Sequence, residues 1–143
     1  MYKYLSLLLL SLTLTQAQDL PYKSQELSTS DMKANNKEIT SLAAKEISKS
    51  LPQTIDKFTT LISCEAKDTM LIYTYELNVA PKSDEELKKE GLKRMKESLI
   101  YGTCEHSARF LQADIIIRYI YKSAATKAEL FSLDIDKKSC DIR

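Results

Sequence analysis

His106 stands two residues after Cys104, and a thiol beside an imidazole is the pair in this chain best suited to make a nucleophile. The pair works only if Cys104 keeps a free thiolate, and a disulfide would remove it. A zinc site needs four ligands, or three and a water. Three scattered cysteines, one histidine and no C-x-x-C spacing do not supply them. The only glycines are Gly91 and Gly102, so no glycine-rich loop can cradle a phosphate, and nucleotide binding is excluded. Asp84, Glu85 and Glu86 sit where a helix begins, and the helix dipole explains them without an acid–base role. Asp114, Asp134 and Asp136 fall at strand edges, and no G-x-S-x-G or Ser-His-Asp arrangement appears. The sequence therefore points to no catalysis, no metal and no cofactor, and macromolecular binding becomes the default expectation.

Two repeated pairs remain, Tyr73/Tyr75 and Tyr119/Tyr121, each with one residue between its tyrosines. In a strand that spacing puts both rings on one face. Such pairs serve more often as cross-strand core packing than as a ligand platform, and the four tyrosines are also the candidate partner-binding surface.

The amino-terminal segment says where the chain works. Lys3 is followed by the apolar run Leu5 to Leu14 and then by Thr15-Gln16-Ala17, the three-part layout of a cleavable export signal, with cleavage expected before Gln18. Ten residues of helix span roughly 15 Å, about half a hydrocarbon core, so a stable membrane anchor is not expected. Without residues 1–17, about 126 residues remain, enough for one domain and one core. They hold 20 basic and 20 acidic side chains. This neutral balance gives no field to steer toward polyanions, so nucleic acid is not an expected partner. The expectation is a periplasmic protein.

All three cysteines, Cys64, Cys104 and Cys140, lie in the exported part, where an oxidising compartment lets thiols pair. Spacing alone leaves all three pairings open. Position favours Cys104 with Cys140, because Cys104 closes a predicted helix and Cys140 follows the last predicted strand. Closing that loop of 37 residues should stabilise the fold by about 3 to 4 kcal/mol. Cys64 alternates into a strand and reads as a small buried apolar group.

The elements that must position these residues can be read in order. Residues 18–35 are polar and aperiodic and read as a flexible leader. From Asn36 the positions Ile39, Leu42, Ala43, Ile47 and Leu51 follow helical spacing, and Pro52 stops the pattern. Phe58 to Glu65 and Met70 to Val79 read as a hairpin; in the second strand Leu71, Tyr73, Tyr75 and Leu77 alternate with Ile72, Thr74 and Glu76. That alternation predicts a sheet covered on one face. Ser83 with Glu86 forms a capping box opening a helix from Asp84 to about Tyr101, whose Leu87, Leu92, Met95, Leu99 and Ile100 face the core, and Gly102 is placed to end it. Residues 105–112 read as a short helix. Asp114 to Lys122 and Lys127 to Asp136 read as a second hairpin. The expectation is one α+β domain over residues 36–143, with a four-stranded antiparallel sheet made of two hairpins, helices on one face and one disulfide.

Taken together, Leu51-Pro52 with Ile55-Asp56, Thr59-Thr60-Leu61, Leu71/Tyr73/Tyr75/Leu77, Leu99 to Cys104, Arg109-Phe110-Leu111, Ile117/Tyr119/Tyr121 and Cys140 resemble the type II secretion pilotin family of α+β fold. The likeness runs over roughly residues 36–142. The resemblance implies a small non-enzymatic exported protein that binds the C-terminal segment of secretin subunits and assists their assembly in the outer membrane. It also maps that family's cysteine pair onto Cys104 and Cys140. Pilotins are typically lipoproteins, whereas no cysteine precedes Cys64 here, so the carrier role does not transfer directly. The alternative expectation is a periplasmic inhibitor or effector that binds an enzyme such as a lysozyme.

Overall fold

The computed structural model describes residues 28–141, so the segment read as an export signal and the first part of the leader lie outside the described residues. Helix α1, Thr29–Ser48, starts seven residues before the expected Asn36. Ser28 caps it by accepting a hydrogen bond from the Asp31 backbone N–H at 3.2 Å. The polar residues 29–35, read as the end of a leader, are therefore helical, because a cap and a continuous backbone ladder extend a helix without apolar periodicity.

The strands are β1 (Gln53–Thr54), β2 (Thr59–Lys67), β3 (Met70–Leu77), β4 (Ile116–Ser123) and β5 (Glu129–Ile135). Two helices, α2 (Asp84–His106) and α3 (Ala108–Gln112), connect β3 to β4, and a 3-10 turn, Lys137–Cys140, follows β5. The sheet order is β1-β2-β3-β4-β5. Two corrections to the expected sheet follow. It has five strands, because the exposed pair Gln53–Thr54 adds a short edge to β2. It is also mixed: β2–β3 and β4–β5 are the two antiparallel hairpins, but β3 and β4 run parallel. The connection between β3 and β4 carries a long helix back over the sheet, and such a crossover delivers the next strand in the same direction.

Helix α2 carries the expected capping box, with the Ser83 backbone N–H donating to Glu86 Oε2 at 2.8 Å. It does not stop at Gly102 but runs on to His106. The continuation buries Thr103 and brings Cys104 to Cys140, gains that outweigh the modest cost of one helical glycine.

All three core clusters lie on one face of the sheet. Helix α1 covers β2 and β3 through Ala43, Ala44 and Ile47 against Cys64, Leu71 and Tyr73. Helix α2 covers the rest of the same face through Leu87, Leu92, Met95 and Leu99 against Tyr75, Tyr121 and Phe131. Leu111 of α3 closes the third cluster over Ile117 and Ile135. Ile117 and Ile135 are essentially inaccessible to solvent, and each such side chain stabilises the fold by about 1.5 to 3 kcal/mol. The side chains of Ile72, Ile116 and Ile120 alternate onto the opposite face and join none of these clusters.

Candidate protein-binding site

The parallel pairing of β3 and β4 sets Tyr73 beside Tyr119 and Tyr75 beside Tyr121 in exact register. Because both strands put these residues on the helix-covered face, the four rings form one continuous row. Tyr73 stacks on Tyr119 with centroids 5.7 Å apart, Tyr75 lies 6.2 Å from Tyr119, and Tyr75 stacks on Tyr121 at 5.1 Å. Phe131 of β5 extends the row, 4.8 Å from Tyr121. Offset ring pairs at these separations stabilise by about 0.5 to 1.5 kcal/mol beyond the area they bury.

The row is both core and surface. Tyr121 is buried, whereas Tyr73, Tyr75 and Tyr119 are half-buried. Tyr73 belongs to the α1 cluster and Tyr75 to the α2 cluster, so the row runs where the coverage of one helix gives way to that of the other. Burial pushes all four hydroxyls above the ordinary tyrosine range, Tyr75 up to about 12. The hydroxyls are therefore neutral donors at physiological pH. Thr103 donates its own hydroxyl proton to the Leu99 carbonyl at 2.6 Å. Its oxygen is then free to accept from the Tyr119 hydroxyl 2.8 Å away, which ties α2 to the centre of the row.

Not every apolar side chain of the domain is covered. Ile55 and Phe58 are exposed in the turn between β1 and β2, with Lys57 Nζ 4.6 Å from the Phe58 ring centroid. The same turn carries Asp56, whose charge acts on the Tyr121 hydroxyl. Neither residue belongs to a strand, so no alternation marks them in the sequence. On α1, Ile39 and Leu42, two of the positions that follow helical spacing, are exposed. Thr40 and Ala44 face the sheet instead: Thr40 satisfies its hydroxyl on the Asn36 carbonyl at 2.7 Å, and Ala44 allows the helix close approach.

The residues considered for chemistry are not assembled into a reactive centre. Cys104 is bonded to Cys140, with Cα atoms 5.8 Å apart, so it carries no thiolate. His106 is exposed at the end of α2, 3.9 Å from Glu105. Cys64 is buried under α1, and burial pushes its thiol up to about 11, which keeps it protonated and inert. Asp56, Asp84, Glu86 and Asp136 are all held below the ordinary carboxylate range by hydrogen bonds they accept, the opposite of what a general acid requires. Among the described residues no group of three or more His, Cys, Asp or Glu side chains is placed to hold a metal, and no helix is long and apolar enough to cross a membrane.

No protein-family model matches the chain, and no curated protein matches it in sequence. Solved structures do match it in shape. A Pseudomonas aeruginosa protein assigned as secreted superposes with a TM-score of 0.67 at 16% identity, covering 80% of this chain and 98% of its own. The pilotin EpsS of the Vibrio vulnificus type 2 secretion system gives 0.60 at 13% identity, covering 80% and 99%. The type II secretion pilotin AspS of Vibrio cholerae gives 0.58 at 15% identity, covering 78% and 97%. At these identities the likeness is one of fold, and the fold of this chain is that of the type II secretion pilotins.

Proposed function

We propose that this protein is an exported, non-enzymatic binding domain that receives a segment of a secretin-type subunit on its tyrosine row. The observation that carries the reading is the row itself: three half-buried tyrosines, stacked in register, with the exposed Ile55 and Phe58 in the turn whose Asp56 acts on the Tyr121 hydroxyl. Aromatic rings with neutral hydroxyls offer large rigid contact area and a polar handle at little entropic cost, which suits recognition of an amphipathic segment. The export signal read at residues 1–17 and the Cys104–Cys140 bridge agree with work outside the cytoplasm. The shared fold with pilotins of two Vibrio type II systems points to a secretin as the partner class.

Affinity capture from envelope extract, with the protein as bait, tests the partner class. Recovery of a secretin subunit supports the reading. Inhibition of a muramidase by the purified protein, with no secretin recovered, would replace it with the inhibitor alternative.

A further inference from the structure

The two edges of the sheet are finished differently. Along β2, the short strand β1 pairs at Thr60 and Leu61, and Ser48 Oγ donates to the Cys64 carbonyl at 2.9 Å. Beyond β5, the strand at the other edge, no further strand lies among the described residues. The direction of its backbone groups follows from β4. At either end of β4, the N–H groups of Ile116 and Ala124 donate at 2.9 Å to the carbonyls of Thr69 and Leu77, so its even-numbered residues face β3. The odd-numbered Ile117, Tyr119 and Tyr121 then face β5 and form the hydrogen-bonded pairs with Ile135, Leu133 and Phe131. Ser132 and Asp134, both exposed, therefore direct their backbone N–H and C=O groups out of the sheet. Among the described residues no backbone group of a turn or strand meets these four. The next outward N–H, that of Asp136, is closed by Ser139 Oγ at 3.2 Å.

We propose that this stretch of β5 is a docking edge for an extended, basic segment of another protein, which adds a strand to the sheet. Three observations choose the occupant. Open N–H and C=O groups in strand geometry are matched by the backbone of another strand. A second copy of this chain does not fit, because β5 is the strand that α2 packs against, with Gly91 close to Phe131. Pairing two copies through β5 would set the strands about 4.8 Å apart and the two α2 helices at about that separation, whereas packed helices need about 8 to 10 Å. The charged residues of β5 are Glu129 and Asp134, both acidic. Asp134 is paired with Arg118 of β4, and Glu129 makes no ion pair among the described residues. Lysine or arginine at alternate positions of the added strand answers that charge, and an apolar residue opposite Leu133 covers its half-buried side chain. The edge is separate from the half-buried tyrosines and does not depend on what binds them.

A capped hexapeptide of alternating lysine and valine, titrated into the isotope-labelled protein and followed by NMR, probes the edge. The amide signals of Ser132 and Asp134 should shift and saturate with a Kd of about 0.1 to 1 mM. The same peptide N-methylated on its sheet-facing amides keeps its charge but cannot donate, and should bind at least about tenfold more weakly. Exchanging its lysines for glutamates should weaken binding at least about threefold. Ser132→Pro removes one outward N–H without breaking the β4–β5 ladder, and should weaken the peptide about tenfold while circular dichroism shows the fold kept. Should that variant misfold, the two altered peptides decide on the wild type. No shift at these amides up to about 5 mM peptide overturns the proposal. So does equal affinity for the methylated or the glutamate peptide, or association between copies that shifts the same amides without peptide.

Discussion

Tyr73 and Tyr119 stack in register across two parallel strands, 5.7 Å between centroids and 17° between planes, joining the cluster under α1 to the cluster under α3. Tyr119 itself packs against both the cluster under α2 and the cluster under α3. Its hydroxyl and its ring should have separable effects. Tyr119→Phe removes the contact to Thr103 but leaves the Thr103 hydroxyl on the Leu99 carbonyl, so urea unfolding should show a loss of about 1 kcal/mol. Tyr119→Ala also empties the ring's place and should cost about 3 to 5 kcal/mol. Equal losses for the two variants would mean that the ring is not packed as described.

The two glycines of α2 should respond in opposite directions to the same substitution. A Cβ at Gly91 would run into the edge of the Phe131 ring, with Cδ1 only 3.0 Å away, whereas a Cβ at Gly102 meets nothing within 4 Å. Gly91→Ala should therefore destabilise by about 1 to 3 kcal/mol through overpacking. Gly102→Ala should stabilise by about 0.5 to 1 kcal/mol, because alanine suits a helix interior better than glycine. Thermal unfolding of both variants checks the close approach of α2 to β5.

One thiol of three should react when the protein is denatured without reductant, and none should react quickly in the native state. Cys104 and Cys140 are bonded, and Cys64 is buried with its thiol pushed up to about 11. Replacing both bonded cysteines with serine should lower stability by about 3 to 4 kcal/mol, the expected loss for opening a loop of this length. Three reactive thiols in the denatured protein would refute the bridge.

Stability should fall on the alkaline side. Tyr73, Tyr75, Tyr119, Tyr121 and Cys64 all have folded values raised by burial above their unfolded ones, near 10 for the tyrosines and 9 for the thiol. A raised value means that the neutral group stabilises the fold fully below the unfolded value, and that this contribution is lost as pH rises through the folded value. Denaturant midpoints should stay level to about pH 9 and decline above it. Tyrosinate absorbance from these rings should appear together with unfolding. On the acid side Asp84 and Asp136, held low by hydroxyl and backbone donors, contribute stability that is lost as pH drops below the ordinary carboxylate range.

Much of this fold is legible in the sequence because its strands are half-covered. Strict alternation at Leu71, Tyr73, Tyr75 and Leu77 identifies the buried face, and Ser83 with Glu86 marks the start of α2. The Cys104–Cys140 bridge also agrees with its reading from position. What alternation cannot carry is the order in which strands pair. Two hairpins separated by a helix can sit edge to edge in more than one way, and the parallel β3–β4 junction that creates the tyrosine row is settled only by tertiary packing. The edge strand Gln53–Thr54 is two exposed polar residues and has no hydrophobic signal at all. On α1 the helical spacing of Ile39 and Leu42 marks the helix, but period alone cannot tell that Thr40 and Ala44 face the sheet instead.

The proposed role stands or falls on direct binding of a secretin C-terminal segment. Titration of that peptide into the purified protein by calorimetry should show saturable one-to-one binding. Tyr75→Ser should abolish it, and Phe58→Ser, an exposed change that leaves the core intact, should weaken it at least about tenfold, the loss expected for an aromatic anchor. No heat of binding to the correctly folded protein, or equal affinity for the wild type and both variants, would contradict the account.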